Sequence, residues 1–91
     1  MKKAVKIIIK GTVQGVFFRN FVKDNADKLH LRGFVRNVDG GKVEIFAEGN
    51  IDDVDKLYVI CKKGPKHAVI KDVKVSEQGF QDFREFKVLR I

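Results

Sequence analysis

The chain has 91 residues, of which 44% are hydrophobic and 34% charged, and 19 basic against 12 acidic residues give a net charge of +7. That length makes a single domain, residues 1–91, with room for one modest core and none for separate modules. The lone Cys61 excludes an internal disulfide framework and points to a reducing, cytoplasmic setting, and no apolar run approaches the ~20 residues of a membrane span, so no membrane partner is expected.

The positive surplus attracts anions in general: nucleic acid, acidic lipid or phosphorylated small molecules. The lysines are spread along the chain rather than gathered in a block, which reads as a solvated surface. Many charged residues beside few Asn, Gln, Cys and Met lean toward a thermostable protein.

At the N-terminus, "MKKAVKIIIKG" places basic residues before isoleucines, as a signal peptide does. Lys6 and Lys10 interrupt the apolar stretch and no small-residue cleavage site follows, so it reads as a strand. Val5, Ile7 and Ile9 alternate with Lys6 and Lys10, and Ile8 breaks the polar side, as expected of a strand inside a sheet. The loop "GTVQGVFFR", Gly11–Arg19, follows. Phe18, Phe21, Val22, Ala26 and Leu29 then recur at helical spacing and predict a helix over roughly 18–30, with Gly33 punctuating its exit.

"FVRNV" is a short strand, "DGG" at Asp39–Gly41 a turn, and "KVEIFAEG" alternates Val43, Ile45 and Ala47 with Glu44, Phe46 and Glu48, so these two strands form a hairpin. The second helix is well punctuated. Asn50 is its expected N-cap, Asp52, Asp53 and Asp55 suit the positive end, and Ile51, Val54, Leu57, Tyr58 and Cys61 form the apolar stripe. Lys62 and Lys63 suit the negative end before Gly64 and Pro65 stop it. "AVIKDVKV" is a fourth strand, "EQGFQD" a loop and "FREFKVLRI" a short terminal strand. The order β-α-β-β-α-β plus a final strand is the α+β, ferredoxin-like split βαβ pattern. Two helices should cover one face of an antiparallel-rich sheet. Right-handed crossovers make strands one and two parallel with another strand between them, so Asn37 and the Gly11–Arg19 loop belong to the same sheet edge.

A loop that ends at a helix N-terminus meets backbone N–H groups without helical partners, and the helix dipole favours an anion there. Gly15 allows successive amides to curl into a concave nest. Arg19 follows in the first turn, where its planar fork can hold two phosphate oxygens. Val16, Phe17 and Phe18 are expected to pin the loop against the core. The plain alternative is a glycine-containing β–α connection with a solvated Arg19. The loop is not a Walker A motif, since no Gly-Lys-Ser/Thr follows, and it holds no cysteine.

"GTVQGVFFR" together with "GFVRN" at Gly33–Asn37 closely resembles the two signatures of the acylphosphatase family, and chain length and element order extend the resemblance to essentially the whole chain. The resemblance implies a metal-independent hydrolase, without cofactor, that cleaves acyl phosphates to a carboxylate and inorganic phosphate. It also implies that Gln14, Gly15, Val16, Phe17, Phe18 and Arg19 bind the substrate phosphate, that Arg19 is essential, and that Asn37 orients the attacking water. Asn37 cannot act as a useful base, so the water's proton is expected to go to the substrate's own phosphate.

The remaining polar residues carry little chemistry. His30 suits the end of the first helix, His67 a surface loop, and neither forms a metal set with buried Cys61 or a triad with Ser76. The rival class is an RNA-binding module of the same fold. "RGFVRN" echoes part of an RNA-recognition signature, and Phe34, Phe46 and Phe86 could form an aromatic surface on the open sheet face, although a packed patch is the stronger expectation. Strand one has no aromatic to stack a base, so no nucleic-acid partner is expected. The sequence leaves the oligomeric state undefined.

Overall fold

The computed structural model describes residues 1–13 and 16–90, and only the backbone of Val16. The elements are β1 (Lys2–Gly11), α1 (Val16–Lys28), β2 (Arg32–Val38), β3 (Lys42–Asn50), α2 (Ile51–Lys63), β4 (Ile70–Gln78) and β5 (Phe86–Leu89). They build one five-stranded sheet in the order β4-β1-β3-β2-β5. β3 is central and pairs antiparallel with both β1 and β2, which are therefore parallel to each other. β5 adds to β2 in parallel. β1 lies inside the sheet, as the apolar Ile8 predicts.

The strand alternation sorts the faces. Val5, Ile7 and Ile9 of β1, Val35 of β2, and Val43, Ile45 and Ala47 of β3 share one buried cluster with Phe18, Val22 and Ala26 of α1 and with Val54, Leu57 and Cys61 of α2. Both helices thus bury their stripes against one face, α1 over β2 and β5, α2 mainly over β1 and β3. Each fully buried Val, Leu, Ile or Phe contributes about 1.5–3 kcal/mol, so this cluster dominates the fold's stability. No helix among the described residues is long and apolar enough to cross a membrane.

Several local expectations are corrected. α1 starts two residues earlier than predicted and ends at Lys28. Its stop is His30, not Gly33: His30 is left-handed at φ 57°, its N–H donates to the Asp27 carbonyl at 3.0 Å, and the Leu31 N–H to the Ala26 carbonyl at 2.9 Å. That pair of bonds is the glycine-type helix ending, made here by a histidine. Gly33 instead lies within β2 at φ 141°, where a Cβ would run into the carbonyl of Phe46 on β3. Asn50 holds the N-cap position of α2 but makes no side-chain cap bond. Gly64 ends α2 as expected, at φ 75° with its N–H on the Ile60 carbonyl.

The open face of the sheet is not bare. β4 and β5 occupy opposite edges, so residues 79–85 must cross the sheet between them. Glu48 of β3 holds this strap. It is 1% exposed, and its two carboxylate oxygens accept the N–H groups of Gln81 and Phe83, each at 2.7 Å. Phe83 brings its ring against Phe34 and Phe46, which stack on each other 5.9 Å apart. The aromatic set expected on this face is therefore corrected in one member. Phe86 lies on the other face, in the helix-covered core at 1% exposure, and Phe83 takes its place. A hydrogen bond to a charged acceptor is worth about 1.5–3 kcal/mol, and losing this one leaves two amides without their acceptor. Glu48→Ala should therefore destabilise by about 3 kcal/mol, read as a lower urea midpoint at unchanged slope; a midpoint within error of the parent would show that the strap is held by its aromatic packing alone.

Candidate active site

Because β1, β2 and β5 are mutually parallel, their C-terminal ends meet at one sheet edge. The β-ladder fixes the positions more closely. Ile9 and Asn37 both pair with Val43, so Asn37 sits level with a residue two before the end of β1. Ile9 and Val43 are fully buried core residues, and directly paired residues share a face, so Asn37 projects to the helix-covered side. Arg36, one residue earlier, faces the open side, where its Nε donates to Glu44 and Lys6 lies 3.7 Å from the same carboxylate.

Asn37 is thus a polar residue on a rung otherwise built for the core. Its Oδ1 is buried and accepts no hydrogen bond from any described protein group. Most buried acceptors are paired, and leaving one unpaired costs about 1–3 kcal/mol, so such a position suits a group that must accept a bond from a ligand or a water.

The end of β1 turns at Gly11. Its ladder with β4 shifts between Lys10 and Gly11, and the Thr12 N–H then donates to the Val69 carbonyl at 2.8 Å. Gly11 has φ 149°, and a Cβ there would strike that same carbonyl. Sequence reasoning assigned the loop's freedom to Gly15 and overlooked Gly11; a glycine closing an alternating strand was the available signal. Gln14 and Gly15 lie outside the described residues, as does the side chain of Val16.

α1 begins at this edge with its N-terminus. Its first turn carries no acidic residue, whereas α2 has Asp52 and Asp53 in the same place. The positive end of α1 is therefore not offset by a carboxylate of its own first turn. Of the three apolar residues expected to pin the loop, Phe18 is buried at 4% exposure, while Phe17 stands in solvent at 88%. Arg19 is part-buried, and its Nη1 donates to the Leu89 carbonyl at the end of β5, 3.1 Å away. Arg19 is thus not the solvated side chain of the plain alternative: it ties α1 to β5. One turn on, Lys23 does the same, with Nζ 3.2 Å from the Phe86 carbonyl and 2.8 Å from Asp27. The structure thus brings Arg19 and Asn37, 18 positions apart in the chain, to one edge beneath a helix N-terminus.

Other groups stand apart from this chemistry. Burial pushes the Cys61 thiol up to about 12, so it stays protonated and is no nucleophile. His30 is spent on ending α1, at the far end of that helix, and His67 is exposed in the loop before β4. No three His, Cys, Asp or Glu side chains converge on a metal position among the described residues. A depression of about 530 Å³ lies over Val59 and Ile60 of α2, and one of about 220 Å³ lies at the opposite sheet end around Lys2, His30 and Arg32; neither includes Arg19 or Asn37. Phe46, at 5% exposure beneath the strap, offers no face on which a nucleic-acid base could stack.

Comparison with known proteins identifies the family. The acylphosphatase family model matches residues 5–88. The acylphosphatase of Syntrophus aciditrophicus is 39% identical over 90 residues, covering 98% of this chain and 94% of that one, and the acylphosphatase of Caldivirga maquilingensis is 45% identical over 86 residues, covering 92% and 90%. The crystal structure of acylphosphatase from Bacillus subtilis superposes with a TM-score of 0.91 at 36% identity, covering 99% of this chain and all of that one. With a family-model match over residues 5–88, relatives at 39% and 45% identity over nearly the full length and a superposition at TM-score 0.91, the chain belongs to the acylphosphatase family, hydrolases of acyl phosphates.

Proposed function

We propose that the family reaction is carried out here at the edge shared by β1, β2 and α1, with Arg19 and Asn37 as the catalytic residues. The observation that supports this best is the buried Oδ1 of Asn37, without a hydrogen-bond partner among the described residues and level with the end of β1. The amides of residues 14–18 and the Arg19 guanidinium bind the phosphoryl group; the helix dipole of α1 favours its charge. Asn37 accepts a hydrogen bond from a water and aims its lone pair at phosphorus.

Phosphoryl transfer asks the protein mainly for position and charge stabilisation. The water oxygen forms the new P–O bond as the bond from phosphorus to the acyl oxygen breaks, and that electron pair leaves with the carboxylate. An amide is no base, so the water's proton passes to a phosphoryl oxygen. The carboxylate is a good leaving group and needs no general acid. Fixed amides and Arg19 match the charge on the equatorial oxygens, a task that requires neither metal nor cofactor. The Leu89 carbonyl orients Arg19 before substrate arrives, so part of the ordering cost is met by the fold. The deciding assay is release of inorganic phosphate from benzoyl phosphate by the purified chain; no release above the buffer rate would refute the reading.

Arg19→Lys should lower kcat/KM about 10²- to 10³-fold, the size of losing a principal oxyanion donor, because a point charge cannot replace a bidentate fork. A variant that folds and turns over normally would remove Arg19 from the mechanism. Loss of the bond to Leu89 should cost about 1 kcal/mol of stability, read in urea unfolding.

Asn37→Ala should depress kcat strongly while calorimetric titration still detects phosphate. Asn37→Leu, close in volume, removes the orphaned acceptor from the core rung. It should be inactive yet as stable as the parent, or more stable by about 1–2 kcal/mol. Loss of phosphate binding in a folded Asn37→Ala protein would make Asn37 a phosphate ligand instead.

Turnover should persist in excess chelator, and inorganic phosphate should inhibit competitively because it fits the same cradle. Activity abolished by chelation and restored by a divalent ion would contradict the metal-independent mechanism.

A further inference from the structure

An acyl phosphate has two ends, and the residues above deal with only one of them. We infer that Phe17, together with Val69, forms the surface that receives the acyl group, and that this group is apolar, aromatic or branched rather than small or charged. This rests on the acyl phosphate hydrolysis proposed above.

Phe17 is 88% exposed in the first turn of α1, next in sequence to the buried Phe18, and does not join the core cluster. Side chains on a helix slant toward its N-terminus, so Phe17 leans over the end of α1 that faces the loop. At 3.6 residues per turn, Phe17 and Arg19 are separated by roughly 200° around the helix axis. Arg19 reaches to β5, on the β2 side of the sheet. Phe17 is therefore directed away from β2 and β5.

On that other side lies Val69, which leads into β4 and is 55% exposed. Its carbonyl accepts the Thr12 N–H at 2.8 Å, which places it against the start of the same loop. Val69 thus borders the start of the loop on the side away from Asn37, the side toward which Phe17 is directed. In-line displacement requires just this division, because the leaving group departs opposite the attacking water. With the water at Asn37 on the β2 side, the carboxylate leaves toward Phe17 and Val69. An exposed phenylalanine so placed gains most by covering an apolar acyl group.

The test compares benzoyl phosphate with acetyl phosphate on the full chain. Phe17→Ala should lower the ratio of their kcat/KM values about five- to tenfold, the range of an aromatic pair contact, and the change should fall on KM for benzoyl phosphate. Phe17→Leu should restore part of the ratio, since it returns apolar area without the ring. A general loss of site structure would lower both substrates together and leave the ratio unmoved, which overturns the inference. So would a parent protein for which Phe17→Ala raises the ratio. If the parent hydrolyses neither compound, the hydrolase reading itself falls, and this inference with it.

Discussion

The site depends on one constraint, the central position of β3. A strand paired antiparallel on both sides forces its two neighbours to run parallel, so the C-terminal ends of β1 and β2 arrive at the same edge. One end delivers the loop and the N-terminus of α1; the other delivers Asn37. Adding β5 parallel to β2 brings a third C-terminal end, whose Leu89 carbonyl holds Arg19. No long-range contact has to be invented for these groups to meet. They meet because the sheet admits no other direction for its strands.

The sheet's two faces are stabilised by different means. The helix side is a continuous aliphatic core with Phe18 and Phe86, and its favourable free energy comes from burying apolar area. The other side carries a thin strap, and Glu48 holds it with two backbone bonds above a trio of phenylalanines. A buried carboxylate is costly unless its oxygens are paired, and the two amides of the strap pair them. The strap thereby covers the aromatics on which a nucleic-acid reading of this fold would have rested.

Asn37 is where the proposed chemistry departs from what the core alone would favour. Its neighbours on the same rung, Ile9 and Val43, are fully buried and apolar. An apolar side chain there would continue the core and leave no acceptor without a partner. The first turn of α1 carries no acidic residue, and under the proposed mechanism a carboxylate there would repel an anionic substrate.

Periodicity in the sequence determined the element order, the faces of β1, β3 and both helices, and the parallel relation of β1 and β2, because alternation and helical stripes are local signals of burial. The paired motifs that contain Arg19 and Asn37 were legible for the same reason: each is contiguous in the chain. Only the tertiary structure decided what lies between distant segments. That Glu48 anchors residues 79–85, that Arg19 donates to Leu89, and that Gly11 and Gly33 make room for the carbonyls of Val69 and Phe46 are facts about strand neighbours, and a single sequence carries no local sign of them. Phe86 turned to the helix side, and Phe83 joined the open-face aromatics, for that reason. An irregular strap does not keep the period of two by which a strand assigns its side chains, so only the crossing itself settled which ring faces the helices and which closes the open side.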